Sequence, residues 1–177
     1  MEVMDMVFEW LHTMDQEGRT PLDRAMNCGH RAVAEMLLRQ EKEASPEEEG
    51  GSTPMHRAAA LGLTAAIESL LSYGFDATRT DSHGETPLHV AVREGKFETA
   101  RVLLDASDVN AMNNAGMTAL HWATLRGDQE MCELLLAYGA DPRIRDEHLD
   151  GLTPITVAEV MEYPEVAESL TANDSFF

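Results

Sequence analysis

Three observations predict an all-α solenoid of stacked helix pairs. A short phrase recurs at a nearly fixed interval: Thr20-Pro21-Leu22-Asp23 stands 33 residues before Thr53-Pro54-Met55-His56, which stands 33 before Thr86-Pro87-Leu88-His89. Thr118-Ala119-Leu120-His121 follows after 32 residues, and Thr153-Pro154-Ile155-Thr156 after a further 35. A glycine lies nine residues after the threonine at Gly29, Gly62, Gly95 and Gly127. An apolar segment at helical spacing then follows, as in Ile67, Leu70 and Leu71, in Ala100, Leu103 and Leu104, and in Met131, Leu134 and Leu135. A pair of short helices cannot bury its own apolar face, but neighbours stacked at a constant period can.

Composition sets the bounds. The 177 residues allow one domain or a small pair, and 44% hydrophobic with 25% charged residues is the balance of a folded chain. The net charge of −19 argues against nucleic acid and anionic membranes as partners, because both require a cationic surface. The charge is uneven: residues 1–50 carry 12 acids and 5 bases, 51–145 carry 12 and 8, and 146–177 carry 8 and none. Acidic ends around a nearly balanced middle solubilise the array, or give it a bipolar surface that orients a basic partner. Cys28 and Cys132 form no disulfide framework, and Cys132 falls in an apolar helical pattern as a small core residue. No apolar run approaches the 18 residues of a membrane span, and the acidic N-terminus lacks the basic region of a signal peptide. The expected compartment is reducing and intracellular: the cytoplasm, with the nucleus as a second location.

Taken in order, residues 1–14 place Val3, Val7, Trp10, Leu11 and Met14 on one face of a short helix, read as an N-terminal cap rather than a partner-binding helix. The first unit spans 15–50. Thr20 is its helix N-cap and Pro21 its first helical residue; Leu22, Ala25 and Met26 face inward, and Gly29 ends the helix in a left-handed conformation. Its second helix carries Val33, Met36, Leu37 and Leu38. The acidic stretch 41–51 then replaces the usual turn, yet the 33-residue spacing to Thr53 is kept, so it reads as an altered, mobile loop and not a linker. Ser45, followed by Pro46 and three glutamates, is a candidate phosphorylation site there. Units two, three and four span 51–80, 81–112 and 113–145. The segment 146–177 is a C-terminal capping repeat and tail: Glu162 replaces the glycine, and beyond Pro164 only Val166, Ala167 and Leu170 are apolar.

Gly84-Glu85-Thr86-Pro87-Leu88-His89-Val90-Ala91, with Gly95, Leu103-Leu104 and Asp108-Val109-Asn110-Ala111, resembles an ankyrin repeat. So does Gly116-Met117-Thr118-Ala119-Leu120-His121-Trp122-Ala123 with Gly127, Leu134-Leu135-Leu136 and Tyr138-Gly139-Ala140-Asp141. The resemblance covers residues 15–170 and departs from the motif at Asp23 and Thr156, which stand where it has histidine, and in the acidic loop. It implies an ankyrin-repeat solenoid: antiparallel helix pairs with outward β-hairpin loops, forming one domain. His56, His89 and His121 are then expected to hydrogen-bond within and between repeats.

Signs of chemistry are few. There is no His-Glu-x-x-His, no Cys-x-x-Cys and no glycine-rich phosphate loop. Asp108-Val109-Asn110 begins like a calcium loop but fails at Met112, and Ala119 stands where a bidentate glutamate is needed. The chain is expected to be neither an enzyme nor dependent on a cofactor or metal. The resemblance implies docking of a partner protein on the concave face, through positions that vary between units. The residues assigned to that groove are Arg57, Leu61, His83, Val90, Arg93, Met117, Trp122, Leu125 and Arg126. Glu85, Glu94, Val160 and Met161 share the variable positions. Trp122 is the expected anchor, since a partly exposed tryptophan is a typical hot spot, and Met117, Leu125, Leu61 and Met161 extend an apolar strip. The expected partner is a protein with a basic or mixed apolar and charged surface, bound by a monomer. A regulatory module masking an enzyme or transcription factor, and a structural spacer within a larger protein, are the alternatives.

Overall fold

The structure, a computed structural model, describes residues 51–147 and 151–174 and, nearer the N-terminus, residues 13, 15–16, 19–28, 30, 33 and 36–37. The expected N-terminal cap and the acidic loop with Ser45 lie outside the described residues.

From residue 51 on, each repeat is two helices joined by a tight turn. The described helices are α1 (Pro21–Asn27), α2 (Pro54–Leu61), α3 (Thr64–Ser72), α4 (Pro87–Arg93), α5 (Phe97–Leu104), α6 (Ala119–Leu125), α7 (Gln129–Ala137), α8 (Pro154–Val160) and α9 (Pro164–Asp174). The short helices α2, α4, α6 and α8 stack in one row, and each packs against the helix that follows it. Behind them α1 meets α3, α3 meets α5, and α7 meets α9.

The threonine explains where each short helix starts. Thr53, Thr86, Thr118 and Thr153 are N-caps in extended conformation, each closing a reciprocal box with the residue three positions on. Proline occupies the first turn of α2, α4 and α8, where its missing N–H has no partner to lose. At the other end, Gly62 has φ 72° and returns its N–H to Ala59, while Leu63 reaches back to the Ala58 carbonyl. Lys96 to Ala91, Asp128 to Ala123 and Tyr163 to Ala158 repeat the latter bond. In the last unit Glu162 takes the same left-handed angle, φ 58°, without being glycine.

One core runs through the stack. Leu22, Met55, Ile67, Leu70, Leu88, Leu103, Leu120, Met131, Leu135 and Leu170 are all buried, and alanines at 58, 59, 91, 100, 123 and 158 let the helices approach closely. Cys132 belongs to this core, and burial pushes its thiol up to about 12, which keeps it protonated and inert. In the first unit Leu37 is buried while Val33 and Met36 are exposed. In α9, Val166 and Leu170 are buried and the remaining described side chains are partly or fully exposed, as a closing repeat requires.

The outward loops carry no strand among the described residues. Backbone bonds close the fingers: Asp81 N–H to the Glu85 carbonyl (2.9 Å) and Gly84 N–H to the Asp81 carbonyl (3.0 Å) in one, Asn113 N–H to Met117 (3.0 Å) and Gly116 N–H to Asn113 (2.9 Å) in the next. A side chain organises the turn: Asp81 Oδ1 accepts from the N–H groups of His83 and Glu85, and Asn113 Oδ1 from those of Ala115 and Met117. Fingers join edge to edge through Asn114 N–H to His83 O (2.9 Å) and Glu147 N–H to Ala115 O (2.8 Å). No described helix is long and apolar enough to cross a membrane.

Candidate functional site: the row beside the short helices

The motif histidines fasten one repeat to the next. In His56, His89 and His121, Nδ1 accepts the N–H of the capping threonine, and Nε2 meets the carbonyl of Glu85 (2.9 Å), Met117 (3.2 Å) and Leu152 (3.3 Å) in the following finger. Accepting at one nitrogen obliges donation at the other, so the neutral Nε2–H tautomer is held. Burial lowers the pKa of all three rings, against the opposing pull of their carbonyl partners. With both nitrogens committed, these rings are structural. Among the described residues, Asp23 and Thr156 supply only the contact within their own repeat. Asp23 Oδ2 accepts from Thr20 N–H (2.8 Å), and Thr156 Oγ1 from Thr153 N–H (2.8 Å).

The variable positions line a row beside these fasteners, and the structure sorts them. Val90 and Met117 are 5% and 6% exposed, which corrects their assignment as surface contacts. Val90 is enclosed in the core, while the Met117 backbone is consumed by the finger turn and by His89, so neither side chain is offered to a partner. Arg57, Leu61 and Leu125 are half-buried, with Leu61 resting on the core. His83 is exposed at a fingertip.

Arg93, Trp122 and Arg126 are brought together although 33 residues separate the two arginines. The Arg93 guanidinium lies over the half-buried Trp122 ring at 5.8 Å from its centroid. It pairs with Glu85 Oε2 at 3.3 Å and with Glu94 Oε1 at 3.0 Å. Arg126, one helical turn after Trp122, donates from Nη1 to the Arg93 carbonyl at 2.9 Å and lies over Gly95, where a Cβ would come within 2.5 Å of its Nη2. It thereby ties α6 to the end of α4 while staying exposed. The Arg93 Nε and Trp122 Nε1 donors are buried and have no acceptor among the described residues.

Sequence reasoning placed Glu85 and Glu94 among the variable positions but not among the contacts; the structure makes them the carboxylates that hold Arg93 in place. The available signal was the single acid before a capping threonine: the equivalents of Glu85 are Arg19, Ser52, Met117 and Leu152. Val160 and Met161, 69% and 42% exposed, carry the row into the last repeat as open apolar surface.

A stacked helical array whose recurrent polar groups serve its own assembly, with its variable groups gathered on one side, is a repeat protein of the interaction type. The chain belongs to the ankyrin repeat family: a family model of ankyrin repeats in three copies matches residues 40–113, 55–146 and 106–176, and a single ankyrin repeat matches residues 17–49. Among its relatives, mouse protein phosphatase 1 regulatory subunit 27 is 37% identical over 81 residues, 45% of this chain and 51% of the subunit. Human ARF GTPase-activating protein GIT1 is 40% identical over 82 residues, 45% of this chain and 10% of that protein. Palmitoyltransferase akr1 of Schizosaccharomyces pombe is 42% identical over 53 residues, 29% of this chain and 8% of that protein. The matched segments thus span about half of the regulatory subunit and small parts of the two larger proteins. The ankyrin family and the likeness to a phosphatase regulatory subunit point to a role in protein interaction or regulation.

Proposed function

We propose that this chain is an interaction module that docks a partner protein along the row of variable residues beside its short helices, with Trp122 and Arg93 as the central anchor. One observation carries this reading: an aromatic ring and a guanidinium, the side chains most often found at hot spots, are stacked and locked by two glutamates before any partner arrives. A surface rigid in the unbound state loses little entropy on docking. The module acts as a monomer in the cytoplasm, with access to the nucleus, in keeping with its two free cysteines.

Affinity capture from cell extract, with the wild type and with Trp122→Ala/Arg126→Glu, followed by mass spectrometry, tests the assignment. Partners held by the wild type and missing from the double variant are expected, a loss of about 1–3 kcal/mol or more at a true anchor. A set of partners unchanged by the double variant would show that the face is wrong and leave the spacer reading standing. A regulatory variant of the proposal is favoured by the likeness to a phosphatase regulatory subunit. It requires in addition that the captured partner's own activity change when the purified module is added.

A further inference from the structure

In a chain of net charge −19, the groove cation Arg126 stands without a carboxylate among the described residues. Arg93 is shared by Glu85 and Glu94, whereas Arg126 hydrogen-bonds the neutral Arg93 carbonyl and has no described acid within ion-pair distance. The bond at Nη1 immobilises the guanidinium, and Nη2 and Nε make no hydrogen bond to the described residues. Beside it lie two orphaned donors, Arg93 Nε and Trp122 Nε1. The two carboxylates in the middle of the row, Glu85 and Glu94, are both engaged by Arg93, which leaves Arg126 without one. Its flanks are apolar: half-buried Leu125 on the same helix, and exposed Val160 and Met161 in the next repeat.

Resting on the docking face named above, we propose that Arg126 is the specificity determinant of this groove and selects a partner segment that carries an aspartate or glutamate side chain flanked by apolar residues. The carboxylate takes the open edge of the Arg126 guanidinium, which presents a planar pair of N–H groups suited to two carboxylate oxygens. The apolar neighbours of that carboxylate cover Leu125, Val160 and Met161. Exposed Glu159 and Glu162 border Val160 and Met161, so the partner's carboxylate belongs at Arg126 and only its apolar neighbours over the last repeat; the rest of the acidic excess acts at longer range, where salt screens exposed charges over roughly 10 Å at 0.1 M. A basic partner segment, by contrast, would place like charge against Arg126.

The test is selection from a displayed library of random peptides on the purified full chain, and in parallel on Arg126→Glu and Trp122→Ala. The wild type is expected to enrich peptides with an acid beside apolar residues. Arg126→Glu is expected to exchange that acid for Lys or Arg in the peptides it enriches, and to weaken the wild-type peptides by roughly tenfold or more. Arg126→Lys keeps the charge and loses the planar fork; it is expected to retain the acidic preference at reduced affinity, and an unchanged melting transition confirms that each variant is folded. Groove-dependent peptides that are basic, or whose acid is indifferent to Arg126→Glu, would overturn the acidic specificity and leave the docking face intact. Peptides that bind Trp122→Ala and Arg126→Glu as tightly as wild type, or no enrichment at all, would overturn both.

Discussion

At the scale of single residues, two backbone positions show how far the repeat constrains its side chains. Glu162 holds φ 58° in the place where the other described units have Gly62, Gly95 and Gly127. A non-glycine residue in this region bears about 1–2 kcal/mol of strain. Glutamate also restricts the unfolded chain more than glycine does, which offsets part of that cost. Glu162→Gly is therefore expected to raise stability by about 0.5–1 kcal/mol, read as a higher urea midpoint at unchanged slope; a lower midpoint would show that the glutamate side chain contributes more than its strain. Gly84 is the opposite case. Its φ is 73°, and a Cβ there would lie 2.7 Å from the Asn114 backbone nitrogen, so finger would collide with finger. Gly84→Ala is expected to cost about 1–3 kcal/mol, at the upper end because a backbone atom blocks the space, and to lower the melting temperature accordingly. The missing glycine at 162 was visible in the sequence, but its left-handed angle was not. The Arg93–Trp122 contact was also hidden, because a period aligns residues without saying which side chain reaches which.

At the scale of elements, the capping box accounts for the recurrence that first marks this sequence. Asp23 and Thr156 read as departures from the motif, yet each closes the box of its own helix. What they lack is the ring nitrogen that reaches the next finger; among the described residues, His56, His89 and His121 couple a cap to a neighbouring repeat through Nε2. A prediction about pH follows from this coupling. Burial holds the pKa of all three histidines below the ordinary 6.5, so below that pH the unfolded chain binds protons that the folded chain refuses. Their contribution is complete above pH 6.5 and is lost as pH falls through the lower folded-state values. Acidification also relieves the repulsion of an acidic chain, which acts in the opposite direction. The informative measurement is thus a comparison: urea midpoints of wild type and His89→Gln from about pH 7.5 to about pH 5. The variant is expected to be less stable at the upper end and to lose less on acidification; parallel pH curves would show that His89 already titrates normally in the fold.

At the scale of the whole molecule, the array was legible and its surface was not. The 33-residue period and the apolar second helices led directly to the stacked pairs and to a core through Ile67, Leu70, Leu103, Leu104, Met131 and Leu135. Val90 and Met117 were misjudged because burial at a variable position depends on the bulk that neighbouring repeats place over it, which the period does not encode. The same one-dimensional logic predicts how the molecule yields. Each repeat contacts only its neighbours, so stability is close to a sum of repeat and interface contributions. Leu103 in α5 and Leu170 in α9 are both fully buried, and truncating either to alanine removes the same atoms, at about 2–5 kcal/mol. Their consequences should differ. α9 packs on α7 and α8 and closes the described array, so Leu170→Ala loosens residues 154–174 and leaves the preceding repeats protected. α5 packs on α3 and α4 within the interior, so Leu103→Ala weakens the joint on which both halves lean. Hydrogen–deuterium exchange reads the difference: faster exchange confined to α8 and α9 in Leu170→Ala, and spread across α3 to α6 in Leu103→Ala. Uniform acceleration along the chain in both variants would mean that the repeats unfold as one cooperative unit, and the nearest-neighbour description would fail.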